Sequence, residues 1–390
     1  MNTVIPIESY QARDDFLRTH AAELYDRLTS GRTRALRLGD LLRAAATEVP
    51  GLVPTQEQLA AERTRPLKDK DGTELAQGLF ASHVLRLPDA GTHLIGAMLR
   101  PLPESAGLLE EFQARDSLDL GPVTVTREGK AGILELRNPR HLNAEDCGTL
   151  RQTEAAVDVI LLDSRIEVGV FRGGVVDHPK YPGARVFGAG LNLTDLYEGR
   201  LDYQFFLDRD LGYVHKIFRG LTGPANDPED TTEKLWIAVV ERFAVGGACQ
   251  LTHVVDHVIA ERGARFFLPA RKEGIIPGVS DLRLPRFVGD RAARQAIFSG
   301  REWVAGEPDA DALVDEVIEP GDADQALEER VHDLTDSGLV NATANRRVMR
   351  IGAEPVDVFR QYMAAFAVEQ ARCHLSDALV RNLETHWIGR

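Results

Sequence analysis

Apolar positions in the first third of the chain recur at helical spacing among charges. Phe16, Leu17, Leu24 and Leu28 form one set, and Leu36, Leu38, Leu41 and Leu42 a second. That period predicts helix through residues 8 to about 116. Pro50, Gly51 and Pro54 break it, and Thr55 stands as an N-cap before an EQLAAER segment. Residues 73–100 read as helix again, ended by Pro101 and Pro103. With no nucleotide loop, metal cluster or strand alternation, this region reads as an appendage that covers a surface or lengthens an oligomer contact.

The pattern changes at Gly121-Pro122. VTVTRE and AGILELRN are short β-type runs joined by a turn at Gly129-Lys130. A helix follows in AEDCGTLRQTEAAVDVILLDS, then a strand in EVGVFRGG. A loop holding His178, Pro179 and Pro182 leads into RVFGAGLNLTDL. Residues 202–220 are predicted helical and 225–232 an exposed loop. Strand KLWIAVVER, a turn at Gly246-Gly247, helix ACQLTHVVD and strands VIAER and RFFLP come next. Repeated strand–helix alternation predicts an α/β fold of about 200 residues. The last 70 residues read mostly as helix, with Phe359, Tyr362, Met363 and Phe366 on one face. The expected domains are residues 1–120, 121–320 and 321–390.

Composition narrows the partners. Sixty acidic residues against 46 basic give a net charge of -14, which argues against broad nucleic-acid or anionic-membrane binding. Only seven of the basic residues are Lys, so cationic sites are mostly guanidinium. Cys147, Cys249 and Cys373 form no CxxC pair, so neither a disulfide scaffold nor a zinc knuckle is expected and a reducing cytoplasm fits. The amino terminus, MNTVIPIESYQARDD, has neither the basic nor the apolar region of a signal peptide. No uncharged apolar run is long enough to span a bilayer. The expectation is a soluble cytoplasmic protein.

Two glycine turns carry the candidate chemistry. FGAGLNL places Gly188 and Gly190 before a helix that begins near Asn192, and VGGACQL places Gly246 and Gly247 before another. Unpaired backbone N–H groups at two such ends, aimed at one spot, would make an oxyanion hole. The alternative is a pair of packing turns in a βα fold. Neither segment is a P-loop or a GxGxxG fingerprint.

FGAGLNL, then FAVGGACQL, then FLPARKEGIIPG together resemble the crotonase (enoyl-CoA hydratase/isomerase) superfamily over roughly Val123 to Pro320. The resemblance implies a β-spiral core with the helical amino- and carboxy-terminal regions around it. It also implies trimers or dimers of trimers, an acyl-CoA ligand and oxyanion donors at the N–H groups of Leu191 and Gly247. The backbone around the turns (Ala189, Gly190, Asn192, Gly246, Ala248) would line the substrate. Departures from the family pattern are informative. Where hydratases carry glutamates, this chain has Gln250, three residues past Gly247, and Ala270, after Pro269. Without that acid–base pair, hydration of an enoyl-CoA is not expected. Ala270, with Leu191 and Ile275, would leave a small apolar space beside the α-carbon.

HLNAED, RVFGAGLNL, RDLGYVHKI, LRLPRFVG and NRRVM add a narrower resemblance, to the cofactor-independent 3,5-dihydroxyphenylacetyl-CoA dioxygenases of glycopeptide-antibiotic pathways, which also carry a helical extension. It implies an arylacetyl-CoA and O2 as reactants, an enolate intermediate, and neither metal nor flavin. Glu145, Arg209 and Gln250 would contact the ring hydroxyls and reacting centre, and Arg209 could hold an anionic oxygen. The bland alternatives are a cap-region charge for Glu145 and a surface ion pair for Arg209 with Asp208 and Asp210. The base could be Glu145 or His178, while His178 and Arg140 could instead touch CoA, close the pocket or lie on the surface. Lys272 and Glu273 read as a loop ion pair, His215, His253 and His257 as structural histidines, and Cys249 as a packing residue. The rival functions are another crotonase reaction, isomerisation or thioester hydrolysis, and a silent acyl-CoA-binding homologue.

Overall fold

Alternation of side chains decides the central sheet. The computed structural model of the chain describes residues 9–388 except Ser337. The reading of the extreme amino terminus falls largely on residues 1–8, which lie outside the described residues. Strands β1 (Ser117–Asp119), β2 (Val123–Glu128), β3 (Ala131–Leu136) and β4 (Val168–Gly173) open the sheet. A pair of two-residue antiparallel strands, β5 (Leu221–Thr222) and β6 (Thr231–Thr232), stands apart. Then come β7 (Leu235–Val240), β8 (Phe243–Val245), β9 (His257–Glu261), β10 (Arg265–Phe267), β11 (Glu302–Val304) and β12 (Glu316–Ile318).

The seven-stranded sheet runs β1-β2-β3-β4-β7-β9-β12. Its first two pairings are antiparallel, and from β3 onward the pairings are parallel. Successive residues face opposite sides of a strand, and here both sides are covered. Ile133, Val170, Ile237, Val239 and Ile259 face the helix Ala323–Asp336 through Ala326 and Leu327. Leu134, Phe171, Trp236 and Ala238 face the larger core, shared with the amino- and carboxy-terminal helices. A three-stranded sheet, β11-β10-β8, lies beside the first. Among the described residues, no helix is long and apolar enough to cross a membrane.

The predicted helices exist, but several are interrupted where the backbone demands it. Residues 73–100 form two helices, Leu75–Arg86 and Pro88–Met98. Pro88 cannot continue the first, lacking the N–H, but suits the first turn of the second. Residues 202–220 likewise split into Gln204–Leu211 and Tyr213–Arg219 at Gly212. A Cβ there would meet Asp208 O at 2.3 Å and Glu154 Oε2 at 3.1 Å. The helix after the second glycine turn covers only Gly247–Leu251.

The amino-terminal helices are fastened to the core by buried charge and close packing. Arg37 pairs with Glu154, and Lys216 Nζ reaches Glu154 and Asp158 at 2.7 Å each. Asp158 also accepts from Leu102 N–H and the Ser105 hydroxyl. Helix Leu75–Arg86 packs on helix Val356–His374, where Ser82 Oγ donates to Ala364 O at 2.6 Å. Phe359, Met363 and Phe366 of that helix are buried, Phe359 stacked on His215 with ring centres 3.8 Å apart, and Tyr362 is half-buried. The extension therefore backs the helix Gln204–Leu211, whose residues Phe205, Phe206, Leu207 and Arg209 are all buried.

Candidate active site

Two backbone pairings bring the glycine turns together. Gly188 bridges Ala244 in parallel, with Val245 N–H donating to Gly188 O at 3.1 Å. Leu191 bridges Glu145, with Glu145 N–H on Gly190 O at 2.6 Å and Asn192 N–H on Glu145 O at 2.8 Å. In that register the N–H of Leu191 turns away from Glu145. Among the described residues it has no protein acceptor, and neither has the N–H of Gly247. Gly190, at φ 81°, permits the approach: a Cβ there would lie 2.6 Å from Val245 O and 2.8 Å from Gly247 N. The two turns thus form one unit presenting two free donors.

Those donors open on a narrow cavity. Leu191, Gly246, Gly247, Ala270 and Ile275 line it together with Glu145, Arg209 and Gln250. Arg209 is not a surface ion pair; it is 4% exposed. Its guanidinium bonds Glu145 in a fork, Nε to Oε1 at 2.9 Å and Nη2 to Oε2 at 3.0 Å. Nη1 donates to Asp210 Oδ1 at 3.0 Å and Gln250 Oε1 at 2.9 Å, and Nη2 also donates to Gly247 O at 2.8 Å. All five N–H groups are therefore committed inside the protein. Arg209 positions the site, and the expectation that it holds an anionic oxygen directly meets a saturated donor set.

The neighbours follow from this hub. Tyr213 OH donates to Glu145 Oε1, and burial pushes the phenol up, keeping it protonated. Burial likewise raises the Asp210 carboxyl against the pull of Arg209. Because Gln250 Oε1 is taken by Arg209, its Nε2 hydrogens are the groups left for the cavity. Gly278, at φ 47°, makes room for this amide: a Cβ would meet Gln250 Oε1 at 2.4 Å and Asp210 Oδ2 at 2.7 Å.

Other expected contacts lie elsewhere. Arg140 is exposed and His178 half-buried, its Nδ1 accepting from Lys180 N–H; neither lines the cavity. Asn192 caps the helix Leu193–Tyr197 through Asp195, Ala189 N–H is held by Leu142 O, and Ala248 packs behind Gly188. His215 and His253 are buried structural residues, while His257 is half-buried on β9. Cys249 is buried, and burial pushes its thiol up to about 12, so it is no nucleophile.

Sequence reasoning missed Phe205, Phe206, Asp210, Ile276, Pro277, Gly278 and, above all, Glu273, which line the same cavity. Glu273 is not paired with Lys272: the lysine is exposed, and the carboxyl is 6% exposed with no hydrogen bond or ion pair among the described residues. The two are consecutive in the helical turn Ala270–Glu273, and consecutive helical residues do not face each other. Burial alone pushes the Glu273 carboxyl up to about 7. The space beside Ala270 is therefore not wholly apolar.

Residues 128–351 match the family model described as enoyl-CoA hydratase/isomerase. A (3,5-dihydroxyphenyl)acetyl-CoA 1,2-dioxygenase of Amycolatopsis orientalis is 46% identical over 92% of this chain and 82% of its own length. A probable enoyl-CoA hydratase of Rhizobium meliloti is 32% identical, over 53% of this chain and 70% of its own. Among solved structures, an enoyl-CoA hydratase/isomerase from Xanthobacter autotrophicus Py2 superposes with a TM-score of 0.57. That match covers 69% of this chain and 94% of the other at 20% identity, and shows the shared fold.

Proposed function

The chain belongs to the enoyl-CoA hydratase/isomerase family, and on that premise we propose that it is a cofactor-independent dioxygenase. It converts (3,5-dihydroxyphenyl)acetyl-CoA and O2 to 3,5-dihydroxyphenylglyoxylate and CoA. The observation that carries this reading is the likeness to the dioxygenase, which runs through the amino-terminal helices as well as the core. Two positions support it: where the family pattern has the hydratase glutamates, an amide at Gln250 and a methyl at Ala270 supply no acid–base pair to add water across a double bond.

The chemistry follows from the donors. Loss of an α-proton leaves its electron pair in the C=C bond of an enolate, with the charge on the thioester oxygen. The N–H groups of Leu191 and Gly247 bind that oxygen more strongly as it becomes anionic, in a site walled by Phe205, Phe206, Ile275 and Ile276. Through Glu145, Gln250 and the Gly247 carbonyl, Arg209 fixes the frame of these donors. The enolate passes one electron to O2, and the resulting carbon radical and superoxide combine to an α-peroxide. Its attack on the thioester carbonyl expels CoA thiolate. O–O cleavage with loss of the second α-hydrogen as a proton leaves the 2-oxo acid. One thioester and one O2 give one 2-oxo acid and one CoA thiol, with no external reductant.

Exposed Val340, Val348, Met349 and Ile351 on the helix Leu339–Ala353 support assembly as a homotrimer or dimer of trimers. Three free cysteines fit a cytoplasmic setting. An oxygen electrode tests the reading on metal-stripped protein with (3,5-dihydroxyphenyl)acetyl-CoA while CoA release is followed. Equal uptake of O2 and release of CoA is expected; CoA release without O2 uptake would overturn it in favour of thioester hydrolysis.

A further inference from the structure

We propose that Glu273 is the base that removes the α-proton of the bound thioester, a role that rests on the dioxygenase reading. The carboxyls of the cavity differ in how far their oxygens are engaged, and among the described residues Glu273 is the one with neither oxygen bonded. Both oxygens of Glu145 accept from Arg209, one of them also from Tyr213, and the Oδ1 of Asp210 and the Oε1 of Gln250 accept from the same guanidinium. Glu145 thus has both oxygens held by the protein and Asp210 one. Glu273 lines the same cavity with neither oxygen engaged among the described residues.

Its position fits the proton it would take. Residues three apart in a helical turn share a face, so in Ala270–Glu273 the carboxyl at 273 stands over the methyl at 270. Glu273 Oε1 lies 3.8 Å from where a Cβ on Gly246 would be, beside the residue whose successor, Gly247, supplies one oxyanion donor. A thioester oxygen held by Leu191 and Gly247 has its α-carbon two bonds away, on the cavity side where Glu273 projects. His178, the other base considered from sequence, does not line the cavity. Burial without a partner supports the role, because a carboxyl raised to about 7 is a stronger base than one in water yet is still ionised in about half of molecules at neutral pH.

The step balances without an oxidant. The ionised carboxylate takes the α-proton, the C–H pair becomes the C=C bond, and the carbonyl π pair moves to oxygen. After CoA thiolate has left, the proton on Glu273 goes to the thiolate, which restores the base.

The test uses intact enzyme and (3,5-dihydroxyphenyl)acetyl-CoA, comparing the wild type with Glu273→Gln and Glu273→Asp. Anaerobic incubation in D2O reports α-deuteration by mass spectrometry, aerobic incubation reports O2 uptake, and anaerobic titration reports affinity. Glu273→Gln should lose both exchange and O2 uptake at least 100-fold with affinity within threefold, and Glu273→Asp should recover part of both. Oxygen uptake by Glu273→Gln within threefold of wild type would overturn the assignment. So would loss of affinity in step with rate, which marks a ring-hydroxyl acceptor. α-Deuteration without O2 uptake in the wild type would instead sink the dioxygenase reading and leave the base in place.

Discussion

Two carboxyls face one cavity at nearly equal burial, Glu145 at 5% and Glu273 at 6% exposure, yet their surroundings are opposite. Glu145 sits in a fork with Arg209 and accepts from Tyr213 as well. Glu273 has no partner among the described residues. Burial is therefore the wrong variable for judging what an acid in this site does; the donors pointed at it decide. The Glu145 side is a fixed frame with both oxygens engaged, while the Glu273 side can change its charge at neutral pH.

The largest effect that sharpens this contrast is at the frame. Arg209→Met would leave Glu145 and Asp210 buried without the guanidinium that both of them bind, and breaking a buried pair typically costs about 3–5 kcal/mol. Equilibrium denaturation should show a loss of that order, with O2 uptake falling beyond detection. A stability within about 0.5 kcal/mol of wild type, inside the ordinary range of surface substitutions, would mean that the frame is not held as described. Next in size is Gln250→Ala, which removes the amide that Arg209 orients without leaving a charge unpaired. The fold should persist, by circular dichroism, while the rate of O2 uptake drops more than tenfold; wild-type activity would remove Gln250 from the reaction.

Much of one side of this comparison was legible in the sequence and little of the other. The glycine turns, Gln250 and Ala270 are local motifs, so their order along the chain already places them. Whether Arg209 is buried could not be read locally, because Asp208 and Asp210 flank it as they would on a solvent-facing helix. The amino-terminal helices bury that helix on its far side, and burial pushes even Asp208 up to about 6. Breaks at Pro88 and Gly212 were visible as residues but not as breaks, since hydrophobic period continues through both. Glu273 was misread for a different reason: adjacency to Lys272 suggests a pair in sequence, whereas a helical turn points the two apart.

The smallest effect is the most specific to the unpaired carboxyl, because it appears in stability without any substrate. A carboxyl whose pKa is about 7 in the fold and near 4.3 when unfolded binds its proton more tightly folded. Stability contributed by the protonated form is fully present below the unfolded value and is lost as pH rises through the folded one. The shift corresponds to on the order of 3 kcal/mol between pH 4.5 and pH 8. Glu273→Gln keeps the shape and abolishes the ionisation. Compared at pH 4.5 and pH 8 by chemical denaturation, the variant should gain on the wild type by that amount at the higher pH, while losing its chemistry. The frame predicts the reverse: Glu145→Gln leaves Arg209 short of its charged partner, so it should destabilise at pH 8. Opposite signs at two acids of equal burial would separate a carboxylate held for structure from one kept free to accept a proton. A Glu273→Gln variant whose stability tracks wild type across that interval would show that the carboxyl has found a partner or solvent, and the contrast between the walls would fail.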